Sequence, residues 1–217
     1  MTATALVVID LQNDFCSGPA VAARYRGDPA VLDAVTANAA RAVTVARERA
    51  VEVVFVRFHG DVEHQGPSWR RRDQVLGKLP KCREGTWGAE FHRVRPAPGE
   101  HVFTKNARFD AFLSAGFEEH LRRTGVEHLV FAGLYADVCV DTTARTAFQQ
   151  GFHVSVLTDC TTSLHLADET VQRFMSTVYG ARLTTLDDPE VWSVPAAARC
   201  DQERQDRCPV PNTAAGP

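Results

Sequence analysis

Five short runs of β-branched and aliphatic residues constrain this chain more than anything else in its sequence. Ala5, Leu6, Val7, Val8 and Ile9 are apolar on both faces of an extended segment, and the run stops at Asp10. A strand with one wet face alternates polar and apolar residues, whereas one that is apolar throughout must be covered on both sides, the habit of parallel sheets. The runs at 53–56, 102–104, 129–132 and 154–157 read the same way, each giving way to polar residues or glycine. Between them apolar residues recur at helical spacing, as at Leu32, Val35, Ala39, Val43 and Ala46 within 31–49, and again over 137–150 and 168–179. Pro29 after Asp28 marks a helix start, and Gly180 marks a helix end. With a sixth strand expected near 181–186, the alternation predicts right-handed βαβ units and an α/β fold: an open parallel sheet of six strands with helices on both faces.

A chain of 217 residues with 44% apolar and 24% charged residues fits one domain, expected over 1–194. The mixture of Ala, Pro, Asp, Arg and Gln from 195 to 217 shows no apolar face and is expected to be a flexible tail. A net charge of −3 with interspersed signs offers no field for nucleic acid or anionic lipid, so neither is an expected partner. No run is long enough to span a membrane and the first residues lack a basic leader, so a cytoplasmic protein is expected. Cys16, Cys82, Cys139, Cys160, Cys200 and Cys208 show neither the density of a disulfide framework nor paired metal-ligand spacing. The segment 60–98, with Trp69, Trp87 and the run Arg70, Arg71, Arg72, lacks clear periodicity and reads as a substrate-covering loop. The arginine run suits either an anionic substrate or a solvated face.

In an open parallel sheet ligands bind beyond the carboxyl ends of the strands. The first strand ends at Asp10, the second at Arg57 and His59, the third at Lys105, and the fourth leads through Gly133 and Tyr135 to Cys139. Each has a plainer reading alone: Asp10 as a helix cap, Lys105 as a surface lysine, Cys139 as an inert buried thiol. Together they make a base, an orienting cation and a nucleophile, with Cys139 at a helix start that favours thiolate. Gly133 permits a sharp turn whose backbone N–H groups can face a developing oxyanion.

Three segments carry a resemblance. Residues 5–15 (ALVVIDLQNDF), 105–112 (KNARFDAF) and 133–140 (GLYADVCV), with Thr142, Ala144, Ala147 and Phe148 following, resemble the isochorismatase-like cysteine hydrolases in order and spacing. The resemblance implies a six-stranded Rossmann-like domain that pairs into homodimers or homotetramers, with Asp10, Lys105 and Cys139 as the catalytic triad. It also implies a cis peptide at Leu134–Tyr135 that aims the Tyr135 N–H, with that of Cys139, at the oxyanion. Nicotinamidases of that family hold a metal through Asp-x-His and a second His after five intervening residues. Here Arg57, His59 and Gln65 take those positions, with His64 one residue early, and arginine does not ligate a cation, so no metal and no cofactor are expected. Isochorismatases carry glycine where Cys139 stands, although the pair Tyr135-Ala136 is theirs.

The expected function is therefore a metal-independent amidohydrolase that cleaves a C–N bond of a small amide, carbamoyl or ureido compound through a thioester. Phe15, Trp69, Trp87 and Phe109 are expected to wall its pocket, and Arg57, His59 and Tyr135 to contact substrate. One alternative is a vinyl ether hydrolase with Asp10 as acid, and another is a binding homologue without catalysis, against which the intact triad argues.

Overall fold

The computed structural model describes residues 3–22 and 24–195. Residues 196–217, the expected tail with Cys200 and Cys208, lie outside them. Six strands are present: β1 (Thr4–Ile9), β2 (Glu52–His59), β3 (His101–Asn106), β4 (His128–Gly133), β5 (His153–Leu157) and β6 (Arg182–Thr184). Every pairing is parallel and the order is β3-β2-β1-β4-β5-β6. The helices are α1 (Asn13–Cys16), α2 (Gly18–Ala22), α3 (Pro29–Glu48), α4 (Pro67–Leu76), α5 (Phe117–Arg123), α6 (Asp141–Gln149) and α7 (Asp168–Tyr179). The fold is thus the single α/β domain expected, with short helices α1, α2 and α5 that periodicity alone did not reveal.

Strand β1 shows why both faces must be covered. Ala5, Val7 and Ile9 pack with α5, α6 and α7, whereas Leu6 and Val8 pack with α3 on the other side. All five are fully buried, which removes about 1.5–3 kcal/mol worth of exposure for each larger side chain. Helix α3 begins as its sequence indicates, with Pro29 in the first turn and Asp28 accepting a hydrogen bond from the Ala30 N–H at 2.8 Å. Helix α7 ends at Gly180 in the left-handed conformation, φ 67°.

Two expectations needed correction. The 60–98 segment is not all loop: Gly66 leads into Pro67 and a ten-residue helix, α4, before the chain turns at Gly77. Four of its ten residues are charged and its apolar members Val75 and Leu76 are exposed, so no periodic apolar stripe betrays it. The helix expected from 137 starts instead with a π-helical turn over Ala136–Val140, and α6 follows at Asp141.

Candidate active site

The order in which strands are added to the sheet reverses between β1 and β4, and there a crevice opens beyond the carboxyl ends. Gly133 makes the closeness of these two strands possible. Its φ is 115°, and a Cβ there would collide with the Ile9 carbonyl. Asp10 leaves β1 with φ 50°, its N–H held by the Val56 carbonyl at 2.9 Å. A non-glycine residue with positive φ is uncommon, and here it lifts the carboxylate into the crevice. Lys105 comes from farther away than sequence suggests, because β2 lies between β1 and β3. Its side chain passes the ring of Phe58, 5.9 Å from the centroid, to reach Asp10 across the end of β2.

The three polar groups meet in a dry place. Lys105 Nζ donates to Asp10 Oδ2 at 2.8 Å and to the Phe109 carbonyl at 3.0 Å, with the Lys105 and Asp10 side chains 0% and 1% exposed. The Cys139 thiol is within interaction range of both partners, and Asp10 Oδ1 has no hydrogen-bond partner among the described residues. Burial pushes the Asp10 pKa up while Lys105 opposes the shift. Lys105 is itself raised, because Asp10 and Cys139 outweigh its desolvation. Burial also pushes the Cys139 thiol well up, against the pull of Lys105. The sequence reading expected a thiolate favoured by a helix start. The structure places Cys139 instead in a short π-helical turn ahead of α6, where burial opposes the thiolate and Lys105 favours it, so a base beside the sulfur has a part to play.

The turn between β4 and Cys139 supplies donors. The Leu134–Tyr135 peptide is cis. The Leu134 and Ala136 N–H groups are engaged by the Ile9 and Thr162 carbonyls, both at 2.9 Å, while no partner among the described residues takes the Tyr135 N–H. The segment that follows Asp10 has a scaffolding task. The Gln12 side chain grips Phe58, accepting from its N–H at 2.7 Å and donating to its carbonyl at 2.9 Å, and Asp14 accepts from the Cys82 N–H at 2.7 Å.

A cavity of about 140 Å³ opens over Asp10 and Cys139. Phe15, Trp69, Phe109 and Tyr135 line it, as does Phe58. The rings form a belt with centroid spacings of 6.4 Å for Phe15–Tyr135, 5.8 Å for Phe15–Phe58, 6.0 Å for Phe58–Trp69 and 4.8 Å for Trp69–Phe109. Three expected contacts lie elsewhere. Arg57 and His59 flank Phe58, and because side chains alternate along a strand, a Phe58 that faces the cavity turns both neighbours away. Arg57 donates instead to Thr104 Oγ1 at 2.9 Å. Trp87, 54% exposed, packs over Gly18 rather than on the cavity. Sequence reasoning missed Phe58, Arg24, Lys78 and Lys81, which do line it. The one signal available was the alternation of β2, which sets Phe58 on the face opposite Arg57 and His59 without declaring which face meets the crevice.

The residues at the nicotinamidase metal positions do not fit a cation. Arg57 brings a guanidinium, which together with burial holds the His59 pKa down. The Gln65 amide is spent on the Gly60 carbonyl at 2.9 Å. The compact cluster of possible ligands among the described residues, Glu52, His101 and His120, sits at the opposite end of the sheet.

The sequence matches the model of the isochorismatase domain over residues 4–188. It is 31% identical over 174 residues to the ureidoacrylate amidohydrolase RutB of Serratia proteamaculans (strain 568), covering 73% of this chain and 69% of that one. Among solved structures it resembles the N-carbamoylsarcosine amidase of Thermoplasma acidophilum, with TM-score 0.71 and 26% identity over 86% of this chain and 98% of that one. It also resembles the zinc complex of the pyrazinamidase of Pyrococcus horikoshii, with TM-score 0.70 and 25% identity over 84% and 99%. A doubly wound sheet, a crevice at its switch point and these relatives converge on one conclusion: the chain belongs to the isochorismatase family of hydrolases.

Proposed function

We propose that the protein is a metal-independent cysteine amidohydrolase that cleaves a C–N bond of a small amide, carbamoyl or ureido compound. The observation that carries this reading is the Cys139 thiol beside a carboxylate that has one oxygen tied to Lys105 and the other without a hydrogen-bond partner among the described residues. A buried carboxylate oxygen without a partner is costly, and a thiol proton is what it is placed to accept. Relatives named for hydrolysis of ureidoacrylate and N-carbamoylsarcosine supply the substrate class.

In the first half-reaction Asp10 Oδ1 takes the proton of Cys139 as the sulfur attacks the carbonyl carbon. The oxyanion that forms is held by the Tyr135 and Cys139 N–H groups. Asp10 returns the proton to the leaving nitrogen as the C–N bond breaks, so ammonia or an amine departs and a thioester remains. Water then attacks the thioester, giving its proton to Asp10, and the C–S bond breaks to restore the thiol. Lys105 stays protonated throughout, steadying the Asp10 carboxylate and the charge on sulfur. Raised by burial, Asp10 is a stronger base than an exposed carboxylate, which suits it to a reluctant thiol.

The test is ammonia release from a panel of amides and ureido acids by the wild type and by Cys139→Ala, each before and after exhaustive chelation. The expected result is turnover by the wild type, unchanged by chelation, and none by the variant. Undiminished ammonia release by Cys139→Ala would refute the thiol mechanism, whereas a wild type that releases no ammonia but hydrolyses a vinyl ether would favour Asp10 acting as an acid. Activity lost on chelation and restored by zinc, iron or manganese would refute metal independence.

A further inference from the structure

Beyond the reacting groups, the cavity is lined by an excess of cations. Arg72, Lys78, Lys81 and Arg24 contribute positive charge, while Asp10 and Asp73 are its carboxylates. Both carboxylates are already taken, Asp10 by Lys105 at 2.8 Å and Asp73 by Arg72 at 2.6 Å. Arg72 is further occupied as a lid on the aromatic belt, its guanidinium 3.9 Å from the Trp69 ring centroid. Of the arginine run singled out in the sequence, Arg70 donates to the Val62 carbonyl, and neither it nor Arg71 lines the cavity. Arg24, Lys78 and Lys81 therefore remain without a carboxylate partner among the described residues, and of these Lys78 is solvent-exposed.

Arg24 is held in a defined place. Its guanidinium lies 5.1 Å from the Phe15 ring centroid and 5.6 Å from that of Tyr135, and one terminal nitrogen donates to the Asp14 carbonyl at 2.8 Å. Its Nε is buried and has no hydrogen-bond acceptor among the described residues. Lys81 faces it: burial and then the Arg24 charge hold the Lys81 pKa below the ordinary lysine range. Two partly desolvated like charges and an orphaned N–H form an arrangement that an anion would relieve. A guanidinium offers a carboxylate two parallel hydrogen bonds, and a lysine adds a point charge.

Resting on the amidohydrolase reading, we propose that the substrate is a small amide or ureido acid whose carboxylate is held by Arg24 and Lys81. The Tyr135 ring that carries Arg24 belongs to the same residue whose N–H faces the oxyanion. The acid group and the scissile carbonyl are thus spaced by little more than one side chain, in keeping with a cavity of about 140 Å³. Neutral amides of the same size would leave both cations and the Arg24 Nε unpaired, and a site with unpaired buried polar groups rejects such analogues strongly.

The experiment compares matched acids and methyl esters, with ureidoacrylate and N-carbamoylsarcosine as the probes. It reads kcat/KM for each in the wild type, Arg24→Gln, Arg24→Lys and Lys81→Gln. The wild type is expected to prefer the acids, and the acid-to-ester ratio is expected to fall about 10- to 100-fold in Arg24→Gln, mainly through KM, and less in Lys81→Gln. Arg24→Lys is expected to recover part of the ratio, and it serves as the second variant if Arg24→Gln folds poorly. Equal cleavage of acids and esters, or a ratio that survives both substitutions, would overturn the anion site and leave the amidohydrolase reading standing. If nothing is cleaved, the amidohydrolase reading has failed, and calorimetric titration of the same acids and esters decides the anion site separately. Acid-selective binding lost in Arg24→Gln would support it, and binding without selectivity would refute it.

Discussion

At the amino ends of the strands, His128 is fully buried with its Nδ1 3.1 Å from Thr4 Oγ1 and its Nε2 2.7 Å from Ser155 Oγ, which also accepts from Arg182 Nε at 3.1 Å. Nearby, His120 is set between Glu52 and Arg123. At the carboxyl ends of the same strands, Asp10 Oδ1, the Tyr135 N–H and Arg24 Nε are left without hydrogen-bond partners among the described residues. Both ends bury polar groups at comparable depth. At one the histidines have found their partners, which fixes register and packing; at the other the open groups converge on a cavity, and the missing partner has the shape of a reactant. Burial, charge or an unpaired atom alone does not tell a catalytic group from a structural one here, since Ser114, Thr161, Ser163 and Trp192 also bury an unpaired polar atom, but unpaired groups that meet over one cavity do.

The largest effects should come from the open end. Cys139→Ala is expected to reduce turnover by at least about 10⁴-fold and Asp10→Asn by about 10²- to 10⁴-fold, with circular dichroism and the thermal midpoint little changed. Because the residues act as one unit, the double variant should lose little more than Cys139→Ala alone, and additive losses would break the assignment.

Next in size is a backbone effect that couples the two ends. Gly133→Ala places a Cβ against the Ile9 carbonyl at φ 115°, so β4 must move away from β1. We expect a destabilisation of about 2 kcal/mol or more, read by chemical denaturation, together with a loss of activity out of proportion to it. A variant as stable and active as the wild type would show that the strand spacing is not what aligns Cys139 with Asp10.

A smaller signature lies in the pH profile. Asp10 must be ionised to act as base, and burial raises its pKa, so kcat/KM should rise with pH through a limb above the usual carboxylate value of about 4. Lys105→Met removes the cation that opposes the rise, so the limb should move further toward neutral pH. A limb that stays in place in that variant would uncouple Lys105 from the base.

The smallest effect on activity belongs to the closed end. Burial, then Arg182 and His153, hold the His128 pKa down to about 3. With the folded value below the unfolded one of about 6.5, the unfolded chain takes up the proton first as pH falls. Stability should therefore decline below about pH 6.5, by at most about 1.4 kcal/mol per unit, until the folded value is reached. His128→Asn is expected to flatten this decline without altering the kcat/KM profile. An unchanged decline would assign acid lability to other groups.

Legibility in the sequence followed the length and regularity of each signal. The strand runs and α3 were readable because their apolar residues repeat over many positions, and Asp10, Lys105 and Cys139 because each falls at the end of such a run. Arg57 and His59 were misplaced by one step of strand alternation, since a run that ends in Arg, Phe and His does not declare which side of β2 faces the crevice. Arg24 and Lys81 were invisible for a different reason. They sit in irregular backbone after α2 and before Cys82, and only tertiary folding brings their charges together over the cavity.

The sheet order also bears on when activity can appear. The ion pair joins residues 95 apart in the chain, and the sulfur arrives from still later, behind β4. Strand β1 is made first yet occupies a central position, between β2 and β4. During synthesis it must wait for the residues of β4 before its second edge is covered, and nonlocal pairings of this kind form slowly. Hydrolysis is therefore a readout of finished assembly: no contiguous half of the chain contains the chemistry, and a nascent chain stays chemically silent until its oldest strand has been enclosed.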